Sequence, residues 1–162
     1  MAPYYVNMMQ DIIFRSYRPA DFTELENMIL ELYADDAATT VGAMSHAQIV
    51  RTVETMTQHP EVGDIIIFEL NNQIIGYAIL TWFWSNEFGG RMLIIDELLV
   101  KEAYRGQGIA SHFFQTLFNG RRYGEMAYLL EVGATKTKTI QFYERHGFKP
   151  FKTRHLFREA NL

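Results

Sequence analysis

The chain of 162 residues contains no cysteine. Disulfides, thiolate metal sites and cysteine nucleophiles are thereby excluded. A basic surplus is also missing: 15 Lys and Arg stand against 19 Asp and Glu, for a formal net charge of -4. A non-specific nucleic-acid binder carries the opposite balance, so no nucleic-acid partner is expected. Long hydrophobic runs are absent. The longest apolar stretches, such as Ile65–Phe68, are far too short to span a bilayer, so no membrane partner is expected. Met1 to Gln10 lacks the positive region and apolar run of a signal peptide, and a cytoplasmic location is the resulting expectation. No repeat, low-complexity tract or Pro/Gly/Ser-rich linker divides the chain, which reads as one domain over residues 1–162. The five histidines, at 46, 59, 112, 146 and 155, have no metal-ligand spacing, and no metal is expected.

What is present is ordinary for a folded protein in its 48% hydrophobic content and unusual in its 14% aromatics, which predict bulky rings in a core or a ligand cleft. Ile12–Ser16 reads as a strand. Pro19 and Asp21 open a helix, with Glu24 three residues beyond Asp21 in the manner of a capping box. Phe22, Leu25, Ile29, Leu32 and Tyr33 then recur on one helical face. Ser45 and Gln48 cap a second helix, whose apolar side carries Ile49, Val53 and Met56.

Beyond Pro60 the period changes. Asp64–Leu70 and Gln73–Trp84 are β-branched and aromatic, joined at Asn71-Asn72, which predicts a hairpin. Arg91–Lys101 is nearly continuous in apolar residues, as a strand buried on both faces would be, except for Asp96 and Glu97. A helix runs from Gly108 to about Phe118 and ends at Asn119-Gly120. Ala127–Val132 is a strand, Thr137–Arg145 a short helix closed by Gly147, and Phe148–Phe157 a last strand. The order is β-α-α-β-β-β-α-β-α-β, a mixed α/β chain.

The most informative segment is Tyr104-Arg105-Gly106-Gln107-Gly108-Ile109-Ala110, between an apolar strand and an amphipathic helix. The first amides of a helix lack intrahelical partners, and that end is electropositive. Glycines admit positive φ and close approach of a ligand. A strand, a glycine turn and a helix together suit a pyrophosphate. The turn is not a P-loop, because Gly-Lys-Ser/Thr is missing, and it lacks the third glycine of the dinucleotide fingerprint.

Arg105-Gly106-Gln107-Gly108-Ile109-Ala110 resembles the Arg/Gln-x-x-Gly-x-Gly/Ala signature of the GNAT acetyltransferases. Phe142-Tyr143-Glu144-Arg145-His146-Gly147-Phe148 resembles the family's second hallmark, Phe-Tyr-x-x-x-Gly-Phe, and Phe14–Asp21 resembles a common opening. The resemblance covers nearly the whole chain. It implies a GNAT fold, with a central mixed, mostly antiparallel sheet flanked by helices, and acetyl-CoA as cosubstrate. Arg105, Gly106, Gln107, Gly108, Ile109 and Ala110 would bind its pyrophosphate. Leu98, Leu99 and Val100 would pair with its pantetheine arm through the backbone, and Phe142 would stand at the same site. Where the family often has Asn and Ala ahead of the Phe-Tyr pair, this chain has Lys136 and Thr139. Members often form homodimers, so a homodimer is a further expectation.

Attack on a thioester requires a neutral amine. With a pKa near 10.4, only about one lysine-like amine in a few thousand is neutral at pH 7, and deprotonation costs roughly 4–5 kcal/mol. Asp96 and Glu97, on the strand that in the family lies beside the thioester, are the predicted bases. Alternation along a strand would turn only one of them toward the substrate, and Glu97 is favoured for its longer arm. The resemblance makes Tyr143 the acid that protonates the departing thiolate. Trp82, Trp84 and Glu87, on the segment Trp82–Phe88, resemble the aromatic stretch of diamine and polyamine acetyltransferases. Aromatic faces there would hold a cationic amine, with negative charge from Asp35 and Asp36. The expected activity is acetyl transfer to a primary amine, a small cationic one first. The alternatives are a protein N-terminal or lysine acetyltransferase, or a CoA-binding module without turnover.

Overall fold

The computed structural model describes residues 9–35, 43–151 and 158. The chain falls into two compact units, Met1–Glu131 and Val132–Leu162. The first is built in the order β1 (Ile12–Ser16), α1 (Phe22–Asp35), α2 (His46–Gln58), β2 (Gly63–Leu70), β3 (Gln73–Ser85), β4 (Gly90–Val100), α3 (Ile109–Gly120) and β5 (Glu125–Leu130). The second contains α4 (Thr137–Arg145). Of the predicted last strand, residues 148–151 are irregular and 152–157 lie outside the described residues.

The five strands form one sheet in sequence order. β1 to β4 are antiparallel neighbours, and β5 joins β4 in parallel. The hairpin between β2 and β3 turns on Asn71 and Asn72, with φ of 50° and 61°. Positive φ at both central residues is the geometry that matches strand twist, and asparagine tolerates it. The parallel β4–β5 pair requires a crossover, which α3 supplies.

Each face of the sheet has its own core. On one, Leu25, Met28 and Ile29 of α1 and Ile49 and Val53 of α2 pack on Ile65, Ile67, Tyr77, Ile79 and Leu99. Burial of one such side chain contributes about 1.5–3 kcal/mol, so the predicted stripe on α1 is what seats that helix. On the other, Phe14, Phe68 and Phe113 interlock, with ring centroids 4.8–5.4 Å apart.

The second helix is capped as predicted. The Ser45 hydroxyl accepts from the Gln48 amide, and the Gln48 side chain accepts from the Ser45 amide at 3.0 Å. The first is not. Pro19–Asp21 forms a 3-10 turn, and the Asp21 carboxylate accepts from the Arg18 amide at 2.7 Å, so Asp21 caps the turn behind it. Glu24 instead forms an ion pair with Lys101. α3 likewise runs through Gly120, and Arg121, at φ 41°, takes the left-handed position after it.

Asp21 also takes both Arg15 terminal nitrogens, at 2.7 and 2.9 Å, and the Arg15 Nε reaches Glu69 at 2.6 Å. Burial raises the Asp21 carboxyl, but the hydrogen bonds from Arg15 and Arg18 outweigh it and hold the group below its ordinary value. The ion pair therefore stabilises the fold at neutral pH, and that contribution fades only as pH falls below the ordinary carboxylate range. Asp21→Asn is expected to cost about 1.5–3 kcal/mol, because it leaves a half-buried guanidinium with one carboxylate in place of two. The urea midpoint of unfolding at pH 7 measures this.

Candidate active site

β4 carries the predicted bases, and its pairing is irregular where they stand. Leu80 of β3 lies opposite Ile95, and the next β3 residue back, Ile79, lies opposite Glu97. Asp96 is therefore the extra residue of a β-bulge. A regular strand would put Ile95 and Glu97 on the same face; the bulge puts them on opposite ones. On the other side of β4, pairing with β5 ends at Ile95 and Leu130. From Asp96 to Val100 the strand is paired to β3 alone among the described residues, so its other edge has no strand partner at Leu98 and Val100, where the Val100 carbonyl accepts from Arg105.

Glu97 and Asp96 have opposite surroundings. Glu97 is 8% exposed. Its Oε1 accepts from the Tyr33 hydroxyl of α1 at 2.9 Å and its Oε2 from the Tyr77 hydroxyl of β3 at 2.7 Å. Burial raises the Glu97 carboxyl, the two phenols pull it back, and the Asp96 charge adds to the rise. The long arm that favours Glu97 as a base is spent reaching these tyrosines. Asp96 is exposed. Partial loss of solvent and then the neighbouring Glu131 carboxylate raise its pKa. Glu131 directly follows β5, so two carboxylates flank the place where β4 and β5 part.

The sequence signals for Tyr33 and Tyr77 point only to packing positions. Tyr77 belongs to the buried core, where its phenol needs an acceptor, and Glu97 is directly across the ladder from its neighbour Ile79. Glu131 gave no signal either, since it sits past a strand end that the sequence places two residues later.

The glycine turn has the conformation that suits an anion. Gly106 and Gly108 have φ of +74° and +84°, and Gly108 is the residue before α3. Gly108 has no side chain with which to cap α3, and the N-terminal end of a helix is electropositive. Arg105 and Gln107 turn their side chains into the scaffold. Arg105 donates to the Val100 carbonyl at 2.8 Å and meets Glu31 at 3.3 Å, and Gln107 donates to the Ala103 carbonyl at 3.0 Å. Ile109 is buried and anchors the helix, Ala110 is half-buried, and Leu99 packs in the core. Main-chain amides of a tight turn, aimed along a helix axis, fit the pyrophosphate of CoA.

The aromatic segment is placed elsewhere. Trp82 and Trp84 pair with Leu93 and Arg91, well before Glu97 on β4. Trp82 stacks on Tyr123 and donates to the Glu61 carbonyl, Trp84 is 70% exposed, and Glu87 lies in the exposed turn between β3 and β4. The structure does not bring these three to Asp96. Asp35 ends α1, and Asp36 lies outside the described residues. In the second unit, Tyr143 is on α4 with its ring 5.5 Å from Phe142 and 5.9 Å from Phe148. Burial pushes its phenol up, which keeps it protonated. Gly147, at φ +88°, ends the helix as predicted. Lys136 precedes α4 and Thr139 is within it.

Residues 61–150 match the model of the acetyltransferase (GNAT) domain. The chain belongs to the GNAT acetyltransferase family and is, by family, an acetyl-CoA-dependent N-acetyltransferase. No curated protein matches it. Solved structures of the same fold include an integron cassette protein from the mobile metagenome of Cole Harbour Salt Marsh, at 24% identity and a TM-score of 0.74, covering 98% of this chain and 95% of that one. A possible acetyltransferase from Clostridium difficile 630 aligns at 17% identity and a TM-score of 0.80, covering 93% and 99%. The structure of AAC(6')-Iy in complex with a bisubstrate analog of CoA and acetylneamine aligns at 12% identity and a TM-score of 0.75, covering 93% and 99%. The likeness to these structures is one of fold. No described helix is long and apolar enough to cross a membrane, and no three described His, Asp or Glu side chains converge as a metal site.

Proposed function

We propose that the chain acetylates a small cationic primary amine, with Asp96 as the base. The observation that carries this is the β4 bulge, which sets one exposed carboxylate where pairing with β5 ends, on the strand that leads into the glycine turn. When bound, acetyl-CoA supplies the activated acyl group. The amides after Gly108 would hold its pyrophosphate, and the edge of β4 at Leu98 and Val100 would pair with its pantetheine arm. Asp96 takes a proton from the incoming ammonium. A base must reach the proton it removes, and Asp96 is exposed while both Glu97 oxygens already accept a phenol. Asp96 and Glu131 together favour a cation over a neutral or anionic acceptor. Tyr143 holds a proton at its phenolic oxygen for the departing sulfur, an assignment resting on the Phe142-Tyr143 motif.

A thermal shift with acetyl-CoA, followed by thiol release over polyamines, diamines, amino acids, aminoglycosides and peptides, tests the reading. Aminoglycosides join the panel through the likeness to AAC(6')-Iy. Stabilisation with release on a small polycation supports it. Release on peptides alone would replace it with a protein acetyltransferase, and absence of release on every class would leave a CoA-binding module.

Two further results are expected. Tyr143→Phe lowers turnover about 100-fold, the low end of an acid catalyst's contribution, with acetyl-CoA affinity unchanged. Glu131→Gln moves the acidic limb of the kcat/KM pH profile to lower pH. Removing a like charge favours ionised Asp96, so the base stays active further into acid. A limb that stays in place would separate Asp96 from the titrating base.

A further inference from the structure

Away from the glycine turn, the first unit holds a cleft of about 480 Å³. Arg91 lines it, nine residues before Val100 on β4, and at about 3.3 Å per residue the two ends of that span are roughly 30 Å apart. The volume is that of a small-molecule site. None of the lining residues belongs to the glycine turn or the bulge.

The polar wall is a fixed ladder. The Arg91 guanidinium lies 5.0 Å from the centre of the Trp82 ring, Trp82 stacks on Tyr123 with centroids 4.9 Å apart, and the Arg122 guanidinium lies 5.4 Å from the Tyr123 ring. Hydrogen bonds hold each rung. Trp82 Nε1 donates to the Glu61 carbonyl at 2.6 Å, and Arg91 Nη1 to the Tyr123 carbonyl at 2.8 Å. Asp64 Oδ2 accepts the Tyr123 hydroxyl at 2.8 Å and the Ser16 hydroxyl at 3.0 Å, and Arg122 Nη2 donates to Ser16 Oγ at 3.0 Å. The apolar part of the lining includes Met56, Pro60 and Ile65.

The charge of this cleft runs against that of the chain. Its charged lining residues are Arg91, Arg122 and Asp64, a balance of +1 in a protein of net charge -4. The Asp64 carboxylate is already occupied by two hydroxyls and lies 3.6 Å from Arg122. A guanidinium has five N–H donors, and the hydrogen bonds here use one from each arginine. The remaining donors are directional and match a planar carboxylate. A dianionic phosphate would be left half neutralised by a balance of +1.

We propose that this cleft is a second binding site, for an organic carboxylate with a compact apolar body. The carboxylate pairs with the Arg122 guanidinium, and the body lies against Met56, Pro60 and Tyr17. The site is separate from acetyl transfer, so its failure would leave that reading standing.

The chain has two tryptophans, and Trp84 is 70% exposed, so Trp84→Phe leaves Trp82 as a built-in reporter. The probes are 3-phenylpropionate and its neutral amide. Saturable change of Trp82 emission by the carboxylate is expected, with half-saturation near or below about 1 mM. The amide should give no change over the same range. Arg122→Met should weaken the carboxylate by about tenfold or more, as loss of a charge-assisted pair does. Calorimetry of the wild-type protein with the same two probes keeps the test free of any substitution. Equal binding of carboxylate and amide, no saturable response to either, or full affinity in Arg122→Met would each overturn the proposal.

Discussion

Asp96→Asn is expected to lower kcat with the preferred amine by about 10²–10⁴-fold, the usual contribution of a positioned base. Affinity for acetyl-CoA should stay the same, because the substitution leaves the glycine turn untouched. The residual rate should also rise with pH. An acceptor with a pKa near 10.4 gains about tenfold in its neutral fraction per pH unit up to that value, so solvent increasingly supplies what Asp96 no longer does. Glu97→Gln is the informative partner. Gln keeps one acceptor for the phenols of Tyr33 and Tyr77, and a phenolic oxygen can accept from its amide, so the fold should survive. If Asp96 is the base, Glu97→Gln costs much less in kcat than Asp96→Asn. The reverse order, together with loss of the pH rescue in Glu97→Gln, would move the base to Glu97. The two results separate a carboxylate that meets the substrate from one that holds the site in shape.

Gly108→Glu is expected to weaken acetyl-CoA binding by about 10–1000-fold. At φ +84° an L side chain is strained by roughly 1–2 kcal/mol, and a Cβ there would stand 3.3 Å from the Met9 methyl. The larger effect is charge. A carboxylate about 4 Å from a pyrophosphate charge is repelled by about 1–4 kcal/mol, between the limits of water and a protein surface. Stability should hold up better than binding, since an acidic residue before α3 favours the helix dipole. Gly108→Ala separates the two causes: it carries the strain without the charge and should retain most of the affinity. Isothermal titration with acetyl-CoA measures both variants. Near-normal affinity in Gly108→Glu would remove the pyrophosphate from this turn.

Much of this was legible along the chain because it rests on local physics. The Ser45–Gln48 cap, the Asn71-Asn72 turn and the glycine turn before α3 are satisfied by residues within a few positions of one another, and the sequence reading locates all three. The α1 and α2 stripes are equally plain, because a helix repeats its buried face every three or four residues. Asp21 shows where local reading falls short. Its spacing to Glu24 suggests a forward cap, but Arg15 and Arg18 offer it stronger partners, and Lys101, 77 residues away, takes Glu24.

The site divides along the same line. The sequence by itself determined the family motifs, the two adjacent carboxylates and the absence of thiol chemistry. Arm length favours Glu97 over Asp96 on the sequence alone, and period-2 alternation assumes an unbroken ladder. Only the register against β3 inserts a bulge at Asp96, and only the fold brings Tyr33 from α1 and Tyr77 from β3 onto Glu97, 64 and 20 residues away in sequence. Tertiary structure likewise carried Trp82 away from the carboxylates to Tyr123 and Arg91, since a strand fixes what its residues oppose but not which loop will pack on them. Identity and spacing are carried in the chain, whereas exposure and partnership arise only when distant segments meet, and the proposed choice of Asp96 over Glu97 rests on those two properties.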